Sequence, residues 1–102
     1  MPYHHRITFV GATARPEPYA CIAYVGGGDP LAGTAWRFSQ DEAIDYIESG
    51  RGRLWLRAGG RSRWVVVARL RRRHKYLKTI DDEEMPWSLL GLASAEDDDR
   101  NG

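Results

Sequence analysis

Apolar and polar positions alternate along several short segments of the chain, and a period of two predicts β-strands. Two further segments near the start are short and rich in β-forming residues, which also predicts strands: RITFV, residues 6–10, and CIAYV, residues 21–25. The stretch between them, GATARPEPY, contains a glycine and two prolines, and GGGDPLAGT follows the second segment. Residues of these types mark loops. We therefore predict two short N-terminal strands that are separated and followed by loops.

The glycine run of the second loop raises the question of a phosphate-binding loop. Such a loop needs a Lys-Ser or Lys-Thr pair after its glycines and a helix directly behind it. Here Asp29 and Pro30 follow Gly28, and neither feature is present. We interpret the segment as a flexible loop.

One segment has helical periodicity instead: SQDEAIDYIESG, residues 39–50. Ser39 and Glu42 have the spacing of a capping box, in which each side chain satisfies a free backbone N–H of the other residue. Gly50 is suited to end the helix because it adopts a left-handed conformation without strain. The apolar positions that share one face are Ala43, Ile44 and Ile47. The segment predicts one amphipathic helix.

A hairpin follows the helix, since RLWLRA and RWVVVARL alternate on either side of the glycine turn GGRS. In the first arm, Leu54 and Leu56 point to one side, which we assign to the core facing the helix. The side chains that point outward are then Arg53, Trp55 and Arg57. We place Arg63 and Arg69 of the second arm on this same outward face.

The remaining segments complete an α+β fold. The charged turn RRRHK leads into a last strand, KYLKTI, and the apolar MPWSLLGLA is expected to pack back on the sheet edge or the helix. The element order is β-β-α-β-β-β, which predicts a mostly antiparallel sheet of about five strands with one helix packed on one face. We expect a single domain over residues 1–95 and a mobile acidic tail over residues 96–102.

The formal net charge of +1 conceals a strong separation of charge along the chain. Between Arg51 and Lys78 there are eleven Lys and Arg residues and no Asp or Glu. Between Asp81 and Asp99 there are eight Asp and Glu residues and no Lys or Arg. The two segments produce fields of opposite sign, so the basic segment is a candidate contact for an anionic partner.

The residue types that support catalysis or metal binding are few. Cys21 is the single cysteine, which excludes an internal disulfide and fits a reducing compartment. His4 and His5 are adjacent, so in a strand they point to opposite faces, and His74 lies at a turn. No nucleophile signature surrounds Cys21. We therefore expect no catalytic residue, no metal site and no cofactor.

The location we expect is the cytoplasm. The N-terminal residues contain no apolar stretch of signal-peptide length. No uncharged stretch is longer than residues 18–28, which are too few and too rich in glycine to cross a bilayer. A membrane contact is accordingly not expected.

Two long segments carry a family resemblance: WRFSQDEAIDYIESG and, after the hairpin, KYLKTIDDEEMPWSLLGL. They resemble a small bacterial family of uncharacterised proteins catalogued as domain of unknown function 3892. That family has a Trp before a Ser-x-x-Glu helix, a Lys-Tyr-Leu-x-Thr strand, an acidic turn and a Leu-Leu-x-Leu segment. The matching positions are Trp36, Ser39, Glu42, Ile47, Gly50, Lys75, Tyr76, Leu77, Thr79, Asp81, Leu89, Leu90 and Leu92.

The resemblance spans residues 6–92, and it implies a fold without an established activity. The chain departs from the family near its end. The family often has paired asparagines before the leucines and a Leu-Pro with a cysteine after them. Here Pro86-Trp87-Ser88 and Leu92-Ala93 occupy those positions.

Our functional hypothesis is a non-enzymatic binding domain, either a protein-binding adaptor or a self-associating module that uses an open sheet face or an edge strand. The alternative is binding of single-stranded nucleic acid, in which Trp55 stacks on bases and arginines hold phosphates. The residues assigned to the contact are Arg53, Trp55, Arg57, Arg63, Arg69, Arg71, Arg72 and Arg73.

A purely structural interpretation of the basic–aromatic segment also stands. In it, Trp55 is buried against MPWSLL, and the arginine stems cover its surroundings. The acidic tail is a further competitor, because its carboxylates can pair with the arginines. Whether Trp55 is exposed decides between these interpretations.

Overall fold

The computed structural model describes residues 3–70 and 74–93, in which seven strands and two α-helices follow one another along the chain. The strands are β1 (Tyr3–Arg6), β2 (Phe9–Ala12), β3 (Ile22–Gly27), β4 (Trp36–Ser39), β5 (Gly52–Ala58), β6 (Arg61–Leu70) and β7 (His74–Thr79). Helix α1 is Gln40–Glu48, and residues 87–93 form a second helix, α2. Two 3₁₀ turns occupy Pro18–Ala20 and Pro30–Ala32.

The strands are divided between two sheets. The first sheet has the order β1-β5-β6-β7, with β1 parallel to β5 and the other pairs antiparallel. The second sheet has the order β2-β3-β4 and is antiparallel. The α+β class is therefore confirmed. The single sheet of about five strands with one helix is not, because the described residues hold more strands, a second sheet and a second helix.

The difference begins in the segment predicted as the first strand. The backbone N–H of Ile7 donates to the carbonyl of Trp55 at 2.7 Å, in the first sheet. The N–H of Thr8, one residue later, donates to the carbonyl of Gly26 at 2.8 Å, in the second sheet. The chain thus leaves one sheet and enters the other within two residues, and one apparent strand becomes β1 and β2.

Helix α1 begins as the sequence predicts. The Ser39 hydroxyl accepts a hydrogen bond from the Glu42 N–H at 3.1 Å, and the Glu42 carboxylate accepts one from the Ser39 N–H at 2.9 Å. Hydrogen bonds from the backbone and then the side chain of Ser39 lower the pKa of Glu42. Gly50 follows the helix with φ of 76°. The capping box and the left-handed glycine are both confirmed.

The core lies between α1 and the inner faces of both sheets. Leu54 and Leu56 of β5 are fully buried there, as predicted for the leucine face of the hairpin. Helix α2 adds Leu89 and Ala93 to the same cluster, so the apolar C-terminal segment packs on the side of the first sheet that faces α1. The other buried members are Ile7, Val10, Ile22, Val25, Ala43, Ile44, Val65 and Leu77.

Neither helix in the described part of the chain is long and apolar enough to cross a membrane. The proposed division into a domain of residues 1–95 and a tail of residues 96–102 stays a prediction. The tail lies outside the described residues.

Candidate functional site

The register of the hairpin formed by β5 and β6 places two tryptophans directly opposite each other. Trp55 of β5 pairs with Trp64 of β6, and Leu54 pairs with Val65. Side chains that are opposite in an antiparallel pair project to the same face. Because Leu54 and Val65 are buried in the core, both indoles project to the other face, away from the helices. Each tryptophan is half-buried.

Strand β1 adds two basic side chains to this face. In its parallel register with β5, His4 pairs with Arg53 and Arg6 pairs with Trp55. At the other side, the Ile80 N–H donates to the Trp64 carbonyl at 2.9 Å and extends the ladder by one residue. We call the resulting surface the outer face: His4, Arg6, Arg53, Trp55, Arg57, Ser62, Trp64, Val66, Lys78 and Ile80.

Cations and aromatic rings are in direct contact on the outer face. The guanidinium carbon of Arg53 lies 3.9 Å from the centroid of the Trp64 ring, and the His4 ring meets the same indole edge-on at 5.2 Å. The Arg6 guanidinium lies 5.6 Å from the centroid of Trp55. Such contacts fix the position of the cations without neutralising them. The contact of Arg6 with Trp55 is thus looser than that of Arg53 with Trp64.

A groove runs between the two indoles. Its volume is about 480 Å³, which lies in the range of small-molecule sites. The residues that line it are His4, Trp55, Ser62, Arg63 and Trp64. The groove therefore has aromatic walls and basic groups at its rim.

The charged side chains on the strands of the first sheet are all basic. Its four strands contain no Asp or Glu. Arg6, Arg53 and Arg57 are exposed on the outer face. Lys78 differs, because its ammonium donates to the backbone carbonyls of Asp82 and Glu83 at 2.7 and 2.9 Å. Within the part of the chain that the structure describes, the three exposed guanidinium groups of the outer face have no carboxylate partner.

Of the residues that the sequence assigned to the contact, Arg53, Trp55 and Arg57 do share the outer face. The placement of Arg63 and Arg69 there is wrong. In the strand register Arg63 pairs with Leu56, and Arg69 pairs with Lys75, on the face toward the helices, although Arg63 also borders the groove beside Trp64. The predicted contact residues Arg71, Arg72 and Arg73 lie outside the described residues.

The physical reason is the length of the turn. The strands pair up to Ala58 and Arg61, so the turn contains only Gly59 and Gly60, both with positive φ. An even number of turn residues puts Trp64, and not Arg63, on the face of Trp55. A shift of one residue exchanges the two faces of a whole strand.

Two further groups are less available than a strand pattern indicates. The alternation of side chains along β7 puts Tyr76 on the same side as the outer face, yet Tyr76 is only 4% exposed. Burial, together with the nearby charge of Glu84, raises the pKa of Tyr76. Cys21 is buried, and its thiol donates to the carbonyls of Arg15 and Glu17. Burial first, and the charge of Glu17 second, raise the pKa of Cys21, which disfavours the reactive thiolate.

Among the residues that the structure describes, no three His, Cys, Asp or Glu side chains come together as a metal site. The features that converge are instead aromatic and cationic. The outer face thus presents aromatic rings and guanidinium groups, which are able to contact flat rings and anions.

Comparison with known proteins identifies the family. The model of the family described as "Protein of unknown function (DUF3892)" matches residues 4–93, so the chain belongs to that family, and the resemblance noted in the sequence is confirmed. No curated protein and no solved structure matches the chain significantly.

Proposed function

We propose that this member of the DUF3892 family binds single-stranded nucleic acid on its outer face and acts by binding rather than by catalysis. The observation that carries the proposal is the cross-strand pair Trp55–Trp64, with Arg6, Arg53 and Arg57 around it. Bases stack on aromatic rings whatever their sequence, and guanidinium groups pair with phosphates.

The position of the indoles favours single strands over duplexes. In a duplex the bases are stacked on one another, and only their edges and the backbone are accessible. Trp55 and Trp64 project from a sheet face, where an unpaired base can lie flat on an indole. Trp55 would then stack, while Arg53 and Arg57 hold the backbone on either side of it along β5.

The protein-binding hypothesis becomes the second candidate because of the sheet edge. Strand β7 is an outer strand of the first sheet, and its Leu77 N–H already donates to the Gln40 side chain at 3.0 Å. A partner strand would have to displace this hydrogen bond. The β7 edge of the first sheet is therefore partly occupied.

Self-association through the outer face has one observation in its favour. Ile80 is 63% exposed and continues the row of Trp55 and Trp64, so this end of the face is apolar. A second copy would cover it, although Arg53 and Arg57 would then approach their own like charges. Sedimentation at increasing protein concentration measures this association directly. For either candidate, the cytoplasm is the location we propose.

The salt dependence of binding tests the proposed function. The affinity for a short oligo-deoxythymidine should fall roughly 20-fold when the salt rises from about 50 to about 200 mM, because three arginine–phosphate contacts give a log–log slope of about −2 on a single strand. Fluorescence anisotropy of a labelled oligonucleotide provides the measurement.

The control is a duplex of the same length, which should bind more weakly at each salt concentration. An oligonucleotide that does not bind at low salt, or an affinity that does not change with salt, refutes the proposal. Equal affinity for duplex and single strand refutes the stacking contribution.

A further inference from the structure

A second concavity lies beside the outer face, between β1 and the loop of residues 28–36. Its volume is about 540 Å³. We call it the β1 cleft, and the residues that line it are His4, His5, Arg6, Thr8, Gly28, Thr34, Trp36 and Phe38. It differs from the groove between Trp55 and Trp64 because both sheets contribute to its walls.

Glycines allow the loop to approach β1 this closely. A Cβ atom on Gly27 would overlap the carbonyl oxygen of Arg6. Gly28 has φ of 81°, and a Cβ there would overlap the carbonyl oxygen of Thr34. A side chain on Gly27 would push the end of β3 away from β1, and one on Gly28 would distort the loop itself. The two glycines thus set how closely the wall of the cleft approaches β1.

The lining combines three kinds of group that a nucleotide needs. Arg6, His4 and His5 supply nitrogen donors, and the hydroxyls of Thr8 and Thr34 supply further hydrogen bonds. The aromatic part is Trp36, whose ring lies 5.7 Å from that of His5, together with Phe38. The volume of the cleft lies in the range of about 300–1,000 Å³ that is typical of small-molecule sites.

The charge of the lining favours an anion. No Asp or Glu lines the cleft within the described residues. The carboxylate of Asp29, in the adjoining loop, accepts a hydrogen bond from the Leu31 N–H at 2.9 Å and closes the loop on itself. A phosphate entering the cleft would therefore meet donors and a guanidinium without a facing carboxylate.

The cleft is continuous with the outer face. His4 lines both the groove between the indoles and the β1 cleft. Arg6 lines the cleft, and its guanidinium also lies over the Trp55 ring. A single-stranded nucleic acid that stacks on Trp55 and then crosses β1 reaches the cleft directly.

We infer that the β1 cleft binds a terminal phosphorylated nucleotide, with its phosphate on Arg6 and His4, which share one face of β1, and its base against Trp36. The inference rests on the proposed function, since the strand on the outer face delivers its end to the cleft. It adds a preference for phosphorylated ends, which stacking on the outer face alone does not give.

The experiment compares oligo-deoxythymidines of one length that carry a phosphate at the 5′ end, at the 3′ end or at neither. One of the phosphorylated forms should bind about tenfold more tightly than the unphosphorylated form, as expected for one set of charge-assisted hydrogen bonds. Equal affinity of all three oligonucleotides overturns the inference and leaves the proposed function intact.

Variants at Thr8 locate the effect. Thr8 is exposed, so it tolerates substitution, and Thr8→Glu places a carboxylate in the cleft. Thr8→Glu should abolish the preference for the phosphorylated end, whereas the neutral Thr8→Gln should retain it. Arg57→Ala should weaken all oligonucleotides equally and leave the preference unchanged, because Arg57 does not line the cleft. A preference that survives Thr8→Glu overturns the inference.

A titration with the mononucleotide separates this inference from the proposed function. If no oligonucleotide binds, the proposed function fails, and AMP against adenosine then tests the cleft alone. AMP should bind the wild type and Trp87→Ala equally, because Trp87 is exposed on α2 and lies outside the cleft, and Thr8→Glu should lose this binding. Failure of AMP to bind, or equal binding of adenosine, overturns the assignment of the cleft.

Discussion

Replacing Arg53 and Arg57 together by glutamate is expected to weaken the binding of oligo-deoxythymidine on the order of 100-fold. Each guanidinium–phosphate hydrogen bond contributes about 1.5–3 kcal/mol, and tenfold in affinity corresponds to about 1.4 kcal/mol. Both arginines are exposed on the outer face, so the change removes two phosphate contacts without opening the core. The salt dependence should become correspondingly weaker.

The matched control is the double variant Arg37→Glu with Arg69→Glu, which changes the net charge by the same amount. Arg37 lies on β4 of the second sheet, and Arg69 lies on the helix-facing side of β6. Both are exposed. This variant should retain most of the affinity. Equal losses in the two variants would show that total charge, and not the outer face, governs the binding.

Replacing Gln40 by alanine is expected to lower the free energy of unfolding by about 3 kcal/mol, because it leaves two backbone groups unpaired at about 1–3 kcal/mol each. Gln40 is 8% exposed. Its amide donates to the Tyr19 carbonyl at 2.8 Å, and its side-chain oxygen accepts from the Leu77 N–H at 3.0 Å. One side chain thus connects α1, the Pro18–Ala20 turn and the edge of β7.

Urea denaturation measures this effect, with Asp41→Ala as the control. Asp41 is the next residue on α1 and is exposed, so its replacement should change the free energy of unfolding by less than about 0.5 kcal/mol. Gln40→Glu keeps the acceptor for Leu77 and should lie between the two. A Gln40→Ala protein as stable as Asp41→Ala would contradict this account of the β7 edge.

Helix α1 could be predicted from the sequence because its determinants are local. The capping residues Ser39 and Glu42, the apolar spacing and Gly50 all lie within twelve residues of one another. The burial of Leu54 and Leu56 could also be predicted, since alternation along one strand needs no information about its partner. Features of this kind depend on neighbours in sequence.

The membership of the outer face depended on the hairpin turn. A turn of the four residues GGRS and the observed turn of two residues are both even, so either one places Trp64 on the face of Trp55. Gly59-Gly60 alone form the turn, which brings Trp64 to the face of Trp55. A two-residue glycine turn is a recognised hairpin signal, so Trp64 was within reach of sequence reasoning.

The residues that β1 contributes to the outer face could not be predicted from the sequence. Arg6 and His4 join the outer face because β1 pairs in parallel with β5, about fifty residues later in the chain. The passage of the chain from one sheet to the other at Ile7 and Thr8 also depends on partners distant in sequence. The β1 cleft, which both sheets form, could not be predicted for the same reason.

The most direct test of the central claim compares two tryptophans that occupy opposite sides of the first sheet. Trp55 lies on the outer face, whereas Trp87 is 65% exposed on α2, which packs on the inner side. Trp55→Ala should weaken the binding of oligo-deoxythymidine about tenfold or more, as for the loss of one stacked base. Trp87→Ala should leave the affinity unchanged. Full affinity in Trp55→Ala, or equal losses in the two variants, would contradict the assignment of the outer face as the binding surface.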